Sequence, residues 1–373
     1  MSRTLVVTND FPTRQGGIET FVLSLCERMP VDEVVVHTAS MPGDTGFDAQ
    51  LAFPVVRDPS STLLPTPAVS RRVLRTLRRY GCDRVVFGAA APLGLLAPAL
   101  RAAGARQIVG LTHGHEVWWA RVPAARAVLR RVGDSCDVLT YVSHWCGSRV
   151  AAALSDTAAT RMRRLSPGVD VARFAPGCGG AEVRSALGIR PATPVVVCAG
   201  RMVPRKGQDT LVRAWPRVLD SVPDARLLLV GEGRFRAEVE KLARPLRESV
   251  LFTGGVPWPQ MAAYIDAGDV FAMPSRARRL GLEVEALGIV FLEAAACGLP
   301  VVVGDSGGAP ETVRHGETGY VVDPHSPRAV AARLIALLAD RPAAKDMGAN
   351  GRRRVSAEWT WDTSAETLAR LLC

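Results

Sequence analysis

The stretch EALGIVFLE, Glu285 to Glu293, sets two carboxylates on either side of a Leu-Gly-Ile-Val step, with seven residues between them. A helix that opens at Val290 and runs through Cys297 would leave the Gly288 to Phe291 amides among the unpaired first-turn N–H groups, with the positive end of the helix dipole aimed at whatever lies in front. Anions collect at such ends. Glu293, one turn inside, can accept from a ribose diol, and Glu285, on the loop before, can face the other end of a long ligand carrying hydroxyls and phosphates. Without a ligand the same spacing describes two solvated carboxylates around a buried helix start.

Outward from this stretch, short Val-rich runs without alternation read as strands buried on both faces. They fall at Leu5–Thr8, Val34–Thr38, Val85–Gly88, Gln107–Thr112 and Val138–Val142, and again at Val195–Cys198, Leu227–Val230, Val250–Thr253, Val270–Met273 and Val301–Val303. Helical-period segments alternate with them, among them Gly17–Met29 and Ser70–Tyr80. This is the βαβ rhythm of a parallel sheet, interrupted once by the Gly- and Pro-rich, weakly periodic run Pro167–Pro194. The reading is α/β: two doubly wound, Rossmann-like domains, residues 1–168 and 169–373, facing a cleft lined by strand ends. Three last helices, Ser326–Ala339, Ala343–Ser356 and Thr363–Leu372, have no strands between them.

Two further segments place charge and glycine where such sheets bind ligands, beyond the carboxyl ends of strands. In AGRMVPRKG, residues 199–207, Arg201 and Lys206 suit a diphosphate, one as a bidentate fork and the other as a compact charge. An exposed basic loop is the plain alternative. GDSGGAPETV, residues 304–313, follows the strand Pro300–Val303. Near the start, FPTRQGGIE offers Gly16 and Gly17, whose missing Cβ atoms would let an anionic group rest on the amides of Gly17 and Ile18, although a tight turn explains the same glycines. Asp10, just beyond the first strand, could orient a hydroxyl.

Taken in order, these segments resemble the retaining, nucleotide-sugar-dependent glycosyltransferases of the GT-B fold, the large family that also holds glycogen and sucrose synthases. The resemblance extends to His113 in LTHGHE and to SPGVDVARFAPG, residues 166–177, and so covers most of the chain. GLEVEALGIVFLEAAACGLPVVVGDSGGAPETV, residues 281–313, is similar to the wording of actinobacterial GDP-mannose-dependent α-(1,6)-phosphatidylinositol monomannoside mannosyltransferases. The resemblance implies GDP-mannose as donor, a phosphatidylinositol monomannoside as acceptor, and a final helix, about residues 360–373, that crosses back to the first domain. Transfer from a nucleotide sugar needs a cradle for the leaving diphosphate. Arg201 and Lys206 would neutralise charge growing on it, assisted by the amides of Gly288, Ile289 and Val290, while Glu293 holds the ribose. By resemblance Glu285 contacts the sugar hydroxyls, and His113 sits by the donor sugar, though a hydrogen-bonded loop histidine is the alternative. Retention in this family is understood to need no protein nucleophile. Another nucleotide sugar, a soluble acceptor such as an inositol phosphate, and a sugar-nucleotide epimerase of the same fold are the rival enzymatic readings.

No cofactor or metal is expected. His113 and His115 form an H-x-H pair without a third ligand nearby, and no Asp-x-Asp occurs to clamp Mg²⁺. Eight cysteines show no C-x-x-C spacing and read as reduced, mostly buried thiols.

The chain has 373 residues and a formal net charge of +10, its cations almost all Arg. That charge raises the question of nucleic acid, yet aromatics are only 6% and the arginines are not interleaved with them, so nucleic acid is not expected as a partner. Residues 1–170 carry 20 basic and 14 acidic side chains, the remainder 26 and 22. The first domain thus has the more positive field. No run reaches the roughly 18 apolar residues of a spanning helix, and no signal peptide is read, so a cytoplasmic protein is expected. Arg71, Arg72, Arg75, Arg78 and Arg79 share one stripe of the helix Ser70–Tyr80, preceded by the apolar Thr62-Leu-Leu-Pro-Thr-Pro. That face could dock peripherally on the anionic inner leaflet of the plasma membrane, or be a solvated face of a core-packed helix.

Overall fold

A computed structural model of the chain describes residues 2–14 and 16–373; Gln15 of FPTRQGGIE lies outside them. The chain divides into two units, one formed by residues 1–168 with Trp361–Cys373 and the other by Val169–Thr360.

Unit 1 carries seven parallel strands: β1 (Arg3–Thr8), β2 (Val34–Ala39), β3 (Val55–Asp58), β4 (Cys82–Phe87), β5 (Gln107–Gly110), β6 (Val138–Tyr141) and β7 (Arg163–Arg164). Their order is β3-β2-β1-β4-β5-β6-β7. The inner strands are buried on both faces, which is why they read as unbroken apolar runs. β3 and β7, at the two edges, escaped the sequence reading because edge strands are short and partly exposed. The helix Trp361–Leu372 belongs to this unit. Its Trp361 ring lies 5.8 Å from Phe21, Asp362 pairs with Arg28 at 2.9 Å, and its backbone at Leu371 accepts from Gln107 at 2.7 Å.

The helix Pro67–Tyr80 is set by its ends: the Thr66 hydroxyl accepts from Val69 N–H, Pro67 occupies the first turn, and left-handed Gly81 closes it. Val69, Val73 and Leu77 face the core. The expected five-arginine stripe is reduced by one, because Arg72 turns inward to Asp58 of β3, with contacts of 2.6 and 2.9 Å. Arg71, Arg75, Arg78 and Arg79 stay exposed. Of the two leucines ahead of the helix, Leu63 is wholly buried and Leu64 is 53% exposed.

Unit 2 holds β8 (Val195–Ala199), β9 (Arg226–Val230), β10 (Val250–Gly254), β11 (Val270–Met273), β12 (Val301–Gly304) and β13 (Gly319–Val322), all parallel, ordered β10-β9-β8-β11-β12-β13. β13 was not read from the sequence. The run 167–194, read as irregular, contains one helix, Gly180–Ala186. No helix among the described residues is long and apolar enough to cross a membrane.

Candidate active site

In unit 2 the strand order reverses between β8 and β11, and the loops leaving their carboxyl ends carry the charged segments. The β8 loop is drawn toward β11 by Gly207, which has φ 77° and whose Cβ, if present, would lie 2.0 Å from the carbonyl oxygen of Pro274. Only glycine permits that approach. It carries Lys206 into a buried position where Nζ lies 2.6 Å from Glu285 Oε2, and Arg205 reaches the same oxygen from 2.8 Å. Burial pulls the Glu285 carboxyl up, but the charges of Lys206 and Arg205 outweigh it and hold it below the ordinary carboxylate range. Both cations converge on Oε2, so Oε1 is left for a ligand hydroxyl, and the trio keeps one net positive charge. Arg201 is exposed, with no carboxylate partner among the described residues.

The GDSGG loop supports Glu285 from behind. Gly308 N–H donates to the Glu285 carbonyl at 2.9 Å, the Ser306 hydroxyl accepts from its N–H at 3.4 Å, and a Cβ on Gly307 would stand 2.1 Å from that same carbonyl oxygen. From there the chain enters the helix Ile289–Ala296, one residue earlier at each end than the sequence reading, with left-handed Gly288 (φ 88°) as its N-cap. Phe291 N–H is taken by the Gly288 carbonyl at 3.0 Å. The N–H groups of Gly288, Ile289 and Val290 find no acceptor among the described residues and remain for an anion. Glu293, one turn in, is buried with no hydrogen bond or ion pair to its carboxyl among the described residues, and burial pushes that carboxyl up to about 7.

Unit 1 carries its histidine on the loop after β5, beside the carboxyl end of β4, where the strand order of this unit reverses from β1. His113 Nε2 donates to the Gly88 carbonyl just after β4, at 2.5 Å, which leaves Nδ1 as the acceptor nitrogen. Burial lowers its pKa against the opposing charge of Glu116. The fully buried Glu116 accepts from the N–H groups of His113 and Gly114, both at 3.0 Å, and so fixes the turn. His115 Nε2 is 3.2 Å from the other Glu116 oxygen, close enough to attract but misaligned for a hydrogen bond. Asp10 is raised by burial, opposed by His115 and Arg14. The helix Gly17–Cys26 starts at Gly16, where an added Cβ would meet the Glu19 carboxylate at 2.3 Å. An anion settling on the Gly17 and Ile18 amides would therefore sit beside an intrinsic carboxylate. No group of three His, Cys, Asp or Glu able to hold a metal ion occurs among the described residues.

Sequence reasoning brought Lys206, Glu285, Glu293 and the helix tip to one place but missed Arg205, Ser306 and Glu116. Arg205 and Lys206 lie in one 3₁₀ turn, Pro204–Lys206, in which neighbouring residues reach the same anion, and no periodicity says which will. Glu116 did leave a signal: an acid three residues after His113, the spacing at which a carboxylate reaches back to cap a turn.

Two doubly wound parallel units, one with cations, a paired carboxylate and an open helix tip gathered at its strand ends, define the GT-B class. The family described as Glycosyl transferases group 1 matches residues 181–354, and Glycosyltransferase Family 4 matches residues 15–173. A GDP-mannose-dependent alpha-(1-6)-phosphatidylinositol monomannoside mannosyltransferase of Mycobacterium tuberculosis is 47% identical, covering 100% of this chain and 98% of that protein. The monoacylated-acceptor counterpart of Corynebacterium glutamicum is 42% identical over 99% and 97%. Among solved structures, Anabaena HepE in complex with UDP superposes with a TM-score of 0.81 at 21% identity, covering 100% of this chain and 99% of that one, a likeness of fold alone. The chain belongs to this family of GT-B glycosyltransferases, alongside the actinobacterial mannosyltransferases.

Proposed function

We propose that the chain transfers mannose from GDP-mannose to phosphatidylinositol monomannoside with retention, forming the α-1,6 linkage of the dimannoside. The observation that carries this is the full-length 47% identity to a mannosyltransferase of that name. The pairing of Lys206 with Glu285 beside an open helix start supports it: as the glycosidic bond breaks, charge grows on the β-phosphate, and Arg201, Lys206 and the amides of Gly288, Ile289 and Val290 neutralise it. Glu293 accepts from the ribose diol, and Glu285 Oε1 from the sugar. The acceptor hydroxyl attacks on the face the diphosphate vacates and gives its proton to a phosphate oxygen. No metal enters this scheme.

The acceptor implies work at a lipid surface. The exposed Arg71, Arg75, Arg78 and Arg79 of the helix Pro67–Tyr80, next to Leu64, suit the anionic inner leaflet. The test is purified protein with radiolabelled GDP-mannose or UDP-glucose and a panel of phosphatidylinositol, its monomannoside and free inositol phosphate. Label should move from GDP-mannose to the monomannoside. Equal turnover with inositol phosphate, or loss of donor without any acceptor, would sink the reading.

A further inference from the structure

Ahead of Glu285 the chain makes a braced turn from Arg278 to Glu283. The two ends pair as a short antiparallel bridge, Arg278 N–H to the Glu283 carbonyl at 2.8 Å and the reverse at 3.2 Å. The Glu283 carboxylate ties Arg278 at 3.3 Å and Arg279 at 3.1 Å. Between them Arg279, Leu280 and Gly281 all have left-handed backbones, φ 50°, 55° and 82°. Glycine adopts that conformation freely, but arginine and leucine do not, and such strain gathers at functional sites. What the strained turn displays is apolar: Leu280 is 92% and Leu282 is 42% exposed. Two guanidinium groups sharing one carboxylate give the tip a positive balance.

We infer that the turn Arg278–Glu283 is a docking finger that dips Leu280 and Leu282 into the interfacial layer of an anionic lipid bilayer, with Arg278 and Arg279 at phosphate level. A stable protein partner would need about 800 Å² from each side, which two leucines on a six-residue turn cannot offer. A bilayer needs no such area, because apolar tips and flanking cations each add to partitioning. Glu285 follows two residues after the turn, so a seated finger holds the donor-binding loop at the level of the lipid headgroups. This consequence rests on the proposed lipid acceptor; the docking itself does not.

The experiment uses the full chain and sedimenting vesicles of phosphatidylcholine with or without phosphatidylglycerol. Leu280→Asn with Leu282→Asn removes the apolar tip, and Asn tolerates the left-handed backbone at 280, so the turn is kept. Partitioning onto anionic vesicles should fall about tenfold, while Leu280→Trp should raise it and neutral vesicles should bind little. GDP affinity should be unchanged, and mannose transfer should drop for acceptor in vesicles but hold for acceptor in detergent micelles. Wild-type partitioning by the double Asn variant would overturn the inference, as would joint loss of GDP binding, which would make the turn part of the donor site. Vesicle binding by a wild-type chain that transfers no mannose would count against the proposed function and leave the finger standing.

Discussion

The convergence of Arg205 and Lys206 on one oxygen of Glu285 makes the effect of removing either depend on the other. Lys206→Ala should lower turnover about a hundredfold to a thousandfold, the loss typical of a preorganised charge at a developing anion. Its melting temperature should move little, because Arg205 still neutralises Glu285. Arg205→Ala leaves a one-to-one Lys206–Glu285 pair without surplus charge, so donor affinity should weaken about tenfold. Only the double variant strands a buried carboxylate, and there stability should drop by about 3 to 5 kcal/mol. Additive losses of stability across the three variants would contradict the shared oxygen. Glu293 titrates in the opposite sense. Its folded pKa of about 7 stands above the ordinary 4.5, so the fold favours the protonated form and loses stability as pH rises through that window. By pH 8 the cost approaches about 3 kcal/mol, and Glu293→Gln should abolish it. A ribose diol donates to the ionised form, so GDP should bind more tightly as pH rises through 7, with release of protons measured by calorimetry in buffers of different ionisation enthalpy. Affinity flat from pH 6 to 8 would remove Glu293 from the ribose.

Elements buried on both faces were legible as Val-rich runs, and those at the sheet edges were not, with consequences for single residues. Because β3 went unread, Asp58 could not be placed beside Arg72, and an interior ion pair passed for one more member of a solvent-facing stripe. The helix start at Ile289 was legible to within a residue, since a glycine ahead of an apolar run marks the left-handed cap that Gly288 provides. The partner of Glu285 was not, because contacts set by loop folding leave no period in a sequence. The division of arginines on the helix Pro67–Tyr80 is itself testable. Reversing Arg75, Arg78 and Arg79 to Glu should cut partitioning onto anionic vesicles more than a hundredfold, at about 1 kcal/mol per cation, without altering the melting temperature. Arg72→Glu should do the reverse, leaving Asp58 buried against a like charge and unfolding the unit. If Arg72→Glu melted like wild type, the inward pairing would be wrong.

At the scale of the whole chain, the net charge of +10 is spread over both units, so it says less about partners than the cations gathered around Glu285. Under the proposed function Arg201, Lys206 and the helix amides neutralise the leaving diphosphate without a divalent ion. Turnover in excess EDTA should therefore equal turnover with Mg²⁺, and a strict metal requirement would contradict the assignment. Each unit has its own sheet, yet the chain enters unit 1 twice, at its start and again with Trp361–Leu372. That helix buries Trp361, Leu368 and Leu372, ties Asp362 to Arg28, and lets the Ser364 hydroxyl donate to the Ser166 carbonyl at 2.8 Å. Every group assigned to GDP, from Arg201 to Glu293, lies instead in Val169–Thr360. Ending the chain at Thr360 should then uncover the Phe21 face and lower the melting of unit 1, while GDP at a hundred times its dissociation constant still stabilises unit 2 by about 2.7 kcal/mol. Calorimetry of the shortened chain would resolve two transitions, of which only one responds to GDP; a single transition unmoved by the nucleotide would mean that the donor site needs more than unit 2 supplies.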